Sequence, residues 1–285
     1  MILITGKSGF LASQLIRVIT KRIRSVQIKC TSREKNTDSV FLDLNDISSF
    51  DFSIINDGDL IVHMAAISSP DICESFYTQA FVVNVTNTIK FIDGCINRGA
   101  KVLFYSSDTV FGEQSNQFYE DAELAPLGKY AEMKAIVESY YTTNDKVKIF
   151  HLSYVFSSKD KFMQYLIDCY KNDLVAEVFA SLERSVIYIA DVIDATIHIL
   201  QRWNTLGIKS VNLAGPDLIS RELITKYFAI YADAPFKYKV ISPPSDFFSS
   251  RPKIINMKSK YLYELLGRQP MSLKKAMSFE LKGRL

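Results

Sequence analysis

The sequence opens with an apolar strand that runs into two glycines and then into a helix. Residues 2–5 read Ile-Leu-Ile-Thr, and Gly6, Gly9 and Ala12 follow at the spacing G-x-x-G-x-x-A. Gly6 permits a tight turn, Gly9 has no Cβ to keep phosphates from the backbone, and the helix offers unpaired N–H groups to an anion. This order of strand, glycine turn and helix predicts a site for the pyrophosphate of a dinucleotide.

Strand-like and helix-like segments alternate through the first half of the chain. Short apolar segments predict strands at 2–5, 26–31, 60–63, 101–106 and 147–154. Helical periodicity marks the segments 10–23, 76–98 and 130–143. This alternation predicts an α/β fold with a doubly wound, parallel Rossmann sheet, whose ligands bind at the carboxyl ends of the strands.

The composition narrows the class of protein. Of the 285 residues 48% are hydrophobic, which is enough for a sizeable core. The four cysteines are scattered and the three histidines are not clustered, so neither a metal site nor a disulfide framework is indicated. A net charge of +3 is too small to indicate a nucleic-acid partner. The apolar runs are too short to span a membrane and no leader precedes the first strand, so a soluble, cytoplasmic protein is expected.

The residues that follow the second predicted strand bear on which dinucleotide binds. Thr31, Ser32 and Arg33 stand there, where a carboxylate would bond the ribose of NAD and an arginine accommodates the 2′-phosphate of NADP. The carboxylate is missing, so NADP is favoured, but a solvated surface arginine would give the same sequence and NAD stays possible. Residues at the turn and at the strand ends are the candidate cofactor-binding residues: Gly6, Ser8, Gly9, Phe10, Leu11, Arg33, Asp43, Leu44, Met64, Ala65 and Ala66.

A serine, a tyrosine and a lysine form the candidate catalytic set. Ser107 follows another predicted strand, and Tyr130 and Lys134 stand four residues apart on a predicted helix, so their side chains face the same way. An ammonium group beside a phenol stabilises phenolate and lowers the pKa of the tyrosine towards the range where it exchanges protons with a carbonyl or hydroxyl. Ser107 would hold the reacting oxygen, and Tyr130 and Lys134 are also expected to contact the cofactor.

These motifs resemble the extended short-chain dehydrogenase/reductases that act on nucleotide sugars, first the dTDP-4-dehydrorhamnose reductases and then the sugar-nucleotide 4-epimerases. The resemblance implies that Ser107, Tyr130 and Lys134 are the catalytic triad. The reductases have a hydroxyl residue, Asp, Tyr, Val and Phe after the strand, whereas this chain reads Ser-Asp-Thr-Val-Phe at 107–111. Substrate contacts from Ser107, Asp108 and Thr109 follow from this match. The family usually has an arginine where this chain has His151.

Two further arginines match the family in the second half of the chain. Arg184 precedes an aromatic-rich segment as an arginine does in the epimerases, and Arg251 belongs to an Arg-Pro pair. In the family such arginines bind the diphosphate of the nucleotide sugar, and a planar guanidinium can donate two hydrogen bonds to phosphate oxygens. The resemblance therefore implies Arg184 and Arg251 as substrate-binding residues.

The domain organisation follows from the prolines and the resemblance together. Prolines interrupt regular structure late in the chain, at positions 216, 235, 243, 244 and 252. Residues 1–155 and 188–216 are predicted to form the dinucleotide-binding domain, with a helix at 190–203 and a strand at 210–214 returning to the main sheet. Residues 156–187 and 217–285 are predicted to form a smaller C-terminal substrate-binding lobe.

The resemblance implies an NADP-dependent reductase of a nucleoside-diphosphate keto-sugar, with a 4-keto-6-deoxyhexose as the first choice, acting in deoxysugar and polysaccharide biosynthesis. Hydride would pass from the nicotinamide to the ketone carbon while Tyr130 donates a proton to its oxygen. An NAD-dependent 4-epimerase and a non-catalytic, nucleotide-binding regulatory subunit of the same fold are the alternatives. The retained Ser107, Tyr130 and Lys134 argue against the subunit, and Arg33 argues against the epimerase.

Apolar residues on more than one face of the helices at 76–98 and 130–143 leave two interpretations open. Either they pack under neighbouring helices, or they pair two copies of the chain, as the family does in homodimers. The residues concerned are Phe76, Phe81, Phe91, Ile92, Ile136, Tyr140 and Tyr141.

Overall fold

A computed structural model describes residues 1–35, 37–232 and 234–283. The strands of this part are β1 (Ile2–Ile4), β2 (Ile28–Ser32), β3 (Val40–Phe41), β4 (Leu60–His63), β5 (Lys101–Ser107), β6 (Gln114–Phe118), β7 (Val147–Leu152), β8 (Val155–Phe156), β9 (Ala176–Phe179), β10 (Glu183–Ser185), β11 (Ile187–Tyr188), β12 (Ser210–Leu213), β13 (Leu218–Ser220), β14 (Tyr238–Ile241) and β15 (Ile254–Met257). The α-helices are α1 (Phe10–Arg22), α2 (Pro70–Ser75), α3 (Tyr77–Phe81), α4 (Asn87–Asn97), α5 (Lys129–Tyr140), α6 (Lys161–Lys171), α7 (Ile189–Gln201), α8 (Arg221–Tyr231), α9 (Leu262–Leu266) and α10 (Leu273–Leu281).

Seven parallel strands form the main sheet, in the order β12-β7-β5-β4-β1-β2-β3. Helices cover both faces, with α1, α7 and α9 over one apolar core and α4 and α5 over the other. A strand covered on both faces is apolar throughout, which explains why Val102 to Tyr105 of β5 are all buried. The predicted α/β fold with a doubly wound Rossmann sheet is confirmed.

The helix predicted at 76–98 is interrupted. A short α3 passes into a π-helical turn at Val82–Thr86 before α4 begins. Asn84, inside that turn, is buried and holds the loop after β4 from both sides. Its Oδ1 accepts a hydrogen bond from the Ile67 N–H at 2.8 Å, and its Nδ2 donates to the Ile67 carbonyl at 2.9 Å. Apolar periodicity does not report such a turn, because the residues on both sides keep a helical pattern.

A second lobe stands beside the main sheet. It contains a four-stranded sheet in the order β13-β10-β15-β6 and an apolar core to which Phe156, Leu166, Phe228 and Met277 contribute. Two segments lie across the boundary predicted from the sequence. Strand β6, from the first part of the chain, joins the sheet of the second lobe, and α9, from the last part, packs into the core under the main sheet.

Candidate active site

The glycine turn between β1 and α1 has the geometry expected of an anion cradle. Gly6 has a φ of +75°, and its N–H donates to the Thr31 hydroxyl at 3.1 Å. A Cβ on Gly9 would lie 3.2 Å from the Gly6 carbonyl oxygen, so a larger residue would crowd the turn. No side chain caps the start of α1, and Ser8 and Gly9 are exposed. The N–H groups of the first helical turn are therefore available to a pyrophosphate, which the residues present fit.

Thr5 fixes the neighbouring strand end around this turn. Its Oγ1 accepts hydrogen bonds from the N–H groups of Met64 and Ala65, both at 2.9 Å. It also faces Nδ1 of His63 at 3.3 Å, and the other ring nitrogen of His63 lies 3.4 Å from the Thr88 hydroxyl. Burial lowers the pKa of His63 to about 3, and the Lys134 charge acts in the same direction, so His63 is a neutral, structural residue. Met64, Ala65 and Ala66 remain half-buried at the edge beside the cradle.

The other predicted cofactor residues differ in what they can offer. Arg33 is exposed just after β2. One carboxylate oxygen of Asp43 is already bonded by the main chain and the side chain of Asn45, both at 2.9 Å. The Leu44 side chain lies in the core under the sheet, which leaves only its main chain for a ligand, and its carbonyl accepts from Asn87 Nδ2 at 2.9 Å. Phe10 and Leu11 pack partly against the core beside α1.

Ser107 ends β5 and opens a 3₁₀ turn at Asp108–Phe111. Its Oγ accepts hydrogen bonds from the Thr109 hydroxyl at 2.9 Å and the Thr109 N–H at 3.3 Å, and donates to Asp108 at 3.3 Å. Burial raises the pKa of Asp108, whereas Arg184, Ser153 and Ser107 stabilise its charged form. The three residues that were predicted to contact substrate thus form one hydrogen-bonded group at the sheet edge.

Helix α5 places Tyr130 and Lys134 beside this group. Lys134 is buried, and its Nζ donates to the Tyr105 carbonyl of β5 at 2.8 Å. The same atom lies 4.5 Å from the centre of the Phe104 ring and 6.0 Å from that of Tyr130. The structure therefore brings the tyrosine, the lysine and the strand end that carries Ser107 together.

The electrostatics of Tyr130 differ from the prediction. Burial raises the pKa of Tyr130, and the nearby Cys73 and Asp108 raise it further. Burial also lowers the pKa of Lys134 to about 8, against the opposing effects of Glu138 and Cys73. Burial outweighs the effect expected of Lys134 on the pKa of Tyr130, so the predicted lowering is not seen in this structure. The phenol is consequently held in its protonated form.

Arg184 is engaged by the protein itself. Its guanidinium donates to the carbonyls of Glu183 at 2.7 Å, Pro252 at 2.7 Å and Lys253 at 3.0 Å. Its Nε lies 3.7 Å from Asp108. These bonds join β10 to the start of β15 and place a positive charge beside Asp108. Arg184 is thus a half-buried cross-link next to the site, and its predicted role in binding the substrate diphosphate stays a prediction.

Arg251 and Arg221 of the second lobe lie close enough for their charges to act on each other. Arg251 bonds Asp71 of α2 at 2.6 Å and lies 4.7 Å from the ring centre of Phe247, so it links the two lobes. Burial lowers the pKa of Arg221, Tyr154 and Asp160 oppose this, and Arg251 adds to the lowering, so the two cations repel each other. Sequence reasoning missed Arg221. The sequence feature that could have identified Arg221 is local. The preceding residue, Ser220, caps α8, and its hydroxyl accepts a hydrogen bond from the Leu223 N–H at 3.1 Å.

Arg221 opens onto a cleft of about 350 Å³ in the second lobe. The cleft is lined by aromatic rings and by charged groups: Lys161, Phe162, Tyr165, Glu177, Phe179 and Arg221. The Arg221 guanidinium lies 4.8 Å from the ring centre of Phe162. Phe179 contacts Phe247 with 5.0 Å between ring centres, which joins the cleft to the Arg251 loop. The combination of flat apolar walls and cations suits a flat ring joined to an anion.

Fold and site together define a Rossmann-type protein with a dinucleotide cradle, a Tyr-x-x-x-Lys helix and a second lobe that contains an aromatic cleft. The family described as RmlD substrate binding domain matches residues 1–211. The chain belongs to this family, and the resemblance seen in the sequence is confirmed.

Similar proteins agree with that assignment. The probable low-salt glycan biosynthesis reductase Agl14 of Haloferax volcanii is 29% identical over 162 residues, 55% of this chain and 54% of that protein. The chain spans about half the length of the first curated relatives it matches. The dTDP-4-dehydrorhamnose reductase of Yersinia enterocolitica superposes with a TM-score of 0.82 at 24% identity, covering 100% of this chain and 99% of that one.

A second solved structure is the UDP-glucuronic acid 4-epimerase of Bacillus cereus in complex with UDP-glucuronic acid and NAD. It superposes with a TM-score of 0.81 at 20% identity and covers 98% of this chain and 97% of that one. Likenesses at this level of identity concern the fold. Within the described ranges no helix has the length and apolarity needed to cross a membrane.

Proposed function

We propose that this protein is an NADP-dependent reductase of a nucleoside-diphosphate keto-sugar, with a 4-keto-6-deoxyhexose as the preferred substrate. One observation carries the proposal. Ser107 ends β5 of the parallel sheet, and Lys134 of α5 bonds the Tyr105 carbonyl of the same strand and lies 6.0 Å from the centre of the Tyr130 ring. Strand β1 of the same sheet opens the dinucleotide cradle. The names of the reductases among the similar proteins support the same reading.

The chain's own residues would divide the reaction between them. A bound reduced nicotinamide dinucleotide would supply the hydride. Tyr130, protonated in this environment, would donate a proton to the ketone oxygen, and Ser107 would hold that oxygen by turning its hydroxyl proton from Asp108 to the substrate. Lys134, fixed on the Tyr105 carbonyl, would stabilise the tyrosinate left behind and hold the nicotinamide ribose.

The nucleotide part of the substrate would bind in the second lobe. We assign its diphosphate to Arg251 and Arg221, because two guanidinium groups that repel each other gain most from a shared dianion. The base would enter the aromatic cleft beside Phe162 and Phe179. Arg184, already bonded to three carbonyls, would act by holding Asp108 and the start of β15 in place.

Arg33, exposed beside the cradle, supports NADP over NAD, since no carboxylate ends β2. We also propose a homodimer in which the helical segments 76–98 and 130–143, which contain α3, α4 and α5, pair with those of a second copy. Of the apolar residues in question, Phe91, Ile92 and Tyr141 are buried, whereas Phe76, Ile136 and Tyr140 are exposed and available to a partner copy. Light scattering on the purified protein measures this directly: a mass of two chains is expected, and a single-chain mass excludes the pairing.

A panel of nucleotide keto-sugars with NADPH and with NADH tests the function. We expect oxidation of NADPH with at least one 4-keto-6-deoxyhexose nucleotide, and oxidation about a hundredfold slower or less when Tyr130→Phe replaces the native protein. Interconversion of 4-epimers with a co-purifying NAD would favour the epimerase instead. Binding of both ligands with no turnover across the panel would favour the regulatory subunit.

A further inference from the structure

The arginine loop, residues 242–253 between β14 and β15, carries Arg251 and lies against the start of α5. Directly before α5 the main chain turns at Gly128, with a φ of +89°, and a Cβ at this position would collide with the Ser250 carbonyl oxygen. Glycine therefore lets the loop approach the main chain two residues before Tyr130. The arginine loop thus lies where substrate binding and proton transfer are proposed to meet.

Arg251 contacts a carboxylate of the other lobe and an aromatic residue of its own loop. One guanidinium nitrogen donates to Asp71 Oδ1 at 2.6 Å, and another donates to the Phe247 carbonyl at 3.4 Å. The guanidinium also lies 4.7 Å from the centre of the Phe247 ring. The side chain of Arg251 is 17% exposed, whereas that of Asp71 is 75% exposed. Because the carboxylate is largely solvated, this ion pair can be broken at small cost.

Helix α2, which carries Asp71, is anchored independently of Arg251. Glu74 of α2 accepts a hydrogen bond from the Lys129 N–H, at the first residue of α5, at 2.8 Å. Cys73 of the same helix is buried in the core under the main sheet. A change of partner by Arg251 therefore does not require α2 to move.

Arg251 and Arg221 both need a negative charge nearby. Burial lowers the pKa of Arg221, and the charge of Arg251 lowers it further, because the two guanidinium groups repel each other. Asp71 supplies one negative charge, and its bond is to Arg251. A diphosphate carries more charge and several acceptor oxygens, so it can bond both arginines. The diphosphate is therefore the stronger partner for Arg251.

We propose that Asp71 is an internal competitor for the substrate diphosphate, and that Arg251 exchanges its bond to Asp71 for a bond to the diphosphate when the substrate binds. The inference rests on the proposed function, which assigns the diphosphate to Arg251 and Arg221. The competition weakens the binding of substrate and product alike, since both carry the diphosphate. It also returns Arg251 to a carboxylate partner after the product has left.

The sign of one effect separates competition from a structural role of Asp71. If Asp71 competes, Asp71→Asn removes the competing charge, and a nucleoside diphosphate binds about two- to fivefold more tightly, the range for an exposed ion pair. If Asp71 instead orients Arg251 for the diphosphate, the same variant binds the nucleotide more weakly. In an Arg251→Ala background the competitor has lost its partner, so Asp71→Asn should leave the affinity unchanged.

Calorimetric titration of the whole protein with dTDP, UDP, GDP and CDP measures these affinities, with saturating NADPH present to fill the dinucleotide cradle. Asp121→Asn is the matched control. It changes the net charge equally and removes a carboxylate that is 72% exposed and paired with Lys260 at 2.7 Å. This control should leave the nucleotide affinity unchanged. Asp71→Ala is a second variant with the same expected sign, and thermal unfolding checks that each variant folds.

A nucleotide affinity that is unchanged or weaker in the Asp71 variants overturns the inference, and so does a gain that persists in the Arg251→Ala background. The outcome is separable from the proposed function. If no keto-sugar is reduced while Asp71→Asn tightens nucleotide binding only in the presence of Arg251, the function fails and the exchange stands. If a keto-sugar is reduced but the affinity does not rise, the exchange fails alone.

Discussion

The cofactor side of the site, around the glycine turn after β1, and the substrate side, in the second lobe, use charge in opposite ways. On the cofactor side the groups are buried and neutral: Thr5 bonds main-chain N–H groups, and His63 has its pKa lowered to about 3 by burial. On the substrate side Lys161, Glu177 and Arg221 line an open, aromatic cleft, and Arg251 lies over Phe247, which contacts Phe179 of the cleft. The cofactor side thus depends on main-chain groups at the strand ends, and the substrate side on charged side chains.

Substitution of Tyr130, at the junction of the cofactor side and the substrate side, should have the largest effect on turnover. Tyr130→Phe removes one oxygen and leaves the ring that packs beside Lys134, so fold and cofactor affinity should survive. Turnover should fall by about a hundredfold or more, the usual contribution of a positioned proton donor. Steady-state kinetics on the substrate found in the panel measures this, together with a titration of NADPH fluorescence.

Ser107→Ala and the double variant complete that test. Since Ser107 and Tyr130 act on one oxygen, the double variant should lose much less than the product of the two single losses. Full activity in Tyr130→Phe, or strictly multiplicative losses, would contradict the shared role.

The next largest effects concern Arg221 and Arg184 of the second lobe, whose alanine variants should change different properties. Arg221→Ala is expected to weaken binding of a nucleoside diphosphate by about ten- to a hundredfold, the range for a lost charge-assisted hydrogen bond. Arg184→Ala should instead lower the melting temperature, because three carbonyls and Asp108 lose their partner. Calorimetric titration with UDP, dTDP, GDP and CDP, beside thermal unfolding, distinguishes the two and ranks the bases.

Lys226→Ala is the matched control for Arg221. It removes a cation from the same helix, but one that is exposed and paired with Glu222 at 2.7 Å. Nucleotide affinity should not change in this variant. If Arg184→Ala weakens the nucleotide as much as Arg221→Ala while the fold keeps its stability, the division of roles between the two arginines is wrong.

This contrast explains how much the sequence could predict. The cradle and the strands around it follow from local signals, since glycine spacing and apolar periodicity act within about ten residues. The placement of α5, which carries Lys134, beside the end of β5 was likewise predictable, because both belong to one parallel α/β sheet. The family resemblance supplied the expected chemistry, and the match to the RmlD substrate binding domain family confirms the resemblance.

The contacts on the substrate side could not be predicted from local sequence patterns. Arg184 is bonded to carbonyls 68 and 69 residues later in the chain, which no local pattern reports. The predicted lowering of the Tyr130 pKa is not seen for a related reason. The i, i+4 spacing places Lys134 beside the ring, but burial and the nearby Asp108 raise the pKa of the phenol. Charge and burial in a folded chain depend on distant neighbours, and spacing alone does not determine them.

On the cofactor side, substitution of the exposed Arg33 should have a smaller effect. Arg33→Ala is expected to reduce the preference for NADPH over NADH by about tenfold, the low end for a phosphate contact, because the side chain is solvated. Fluorescence titrations with both cofactors measure the ratio. Lys35→Ala, two residues later, should leave it unchanged, and a native protein that binds both cofactors equally would remove NADP from the proposed function.

Because His63 on the cofactor side is buried and neutral in the folded protein, the folding stability should decrease at acidic pH. The unfolded chain protonates His63 near its ordinary pKa of 6.5, whereas the folded protein resists down to about 3. Between these values the unfolded state binds the extra proton, so folding stability falls as the pH falls below 6.5. From pH 6.5 to 5.5 His63 alone should cost about 1 kcal/mol, or about fivefold in the folding equilibrium.

His63→Gln removes this titration, so its stability should decline by about 1 kcal/mol less than that of the native protein over the same interval. Urea unfolding at half-unit pH steps measures the difference, and the steps above pH 7 are the internal control, because His63 is neutral in both states there. Curves that stay parallel from pH 7.5 to 5.5 would mean that the folded protein accepts a charge at His63. The cofactor side would then tolerate charge as the substrate side does, and the contrast between them would lie in the cations of the second lobe alone.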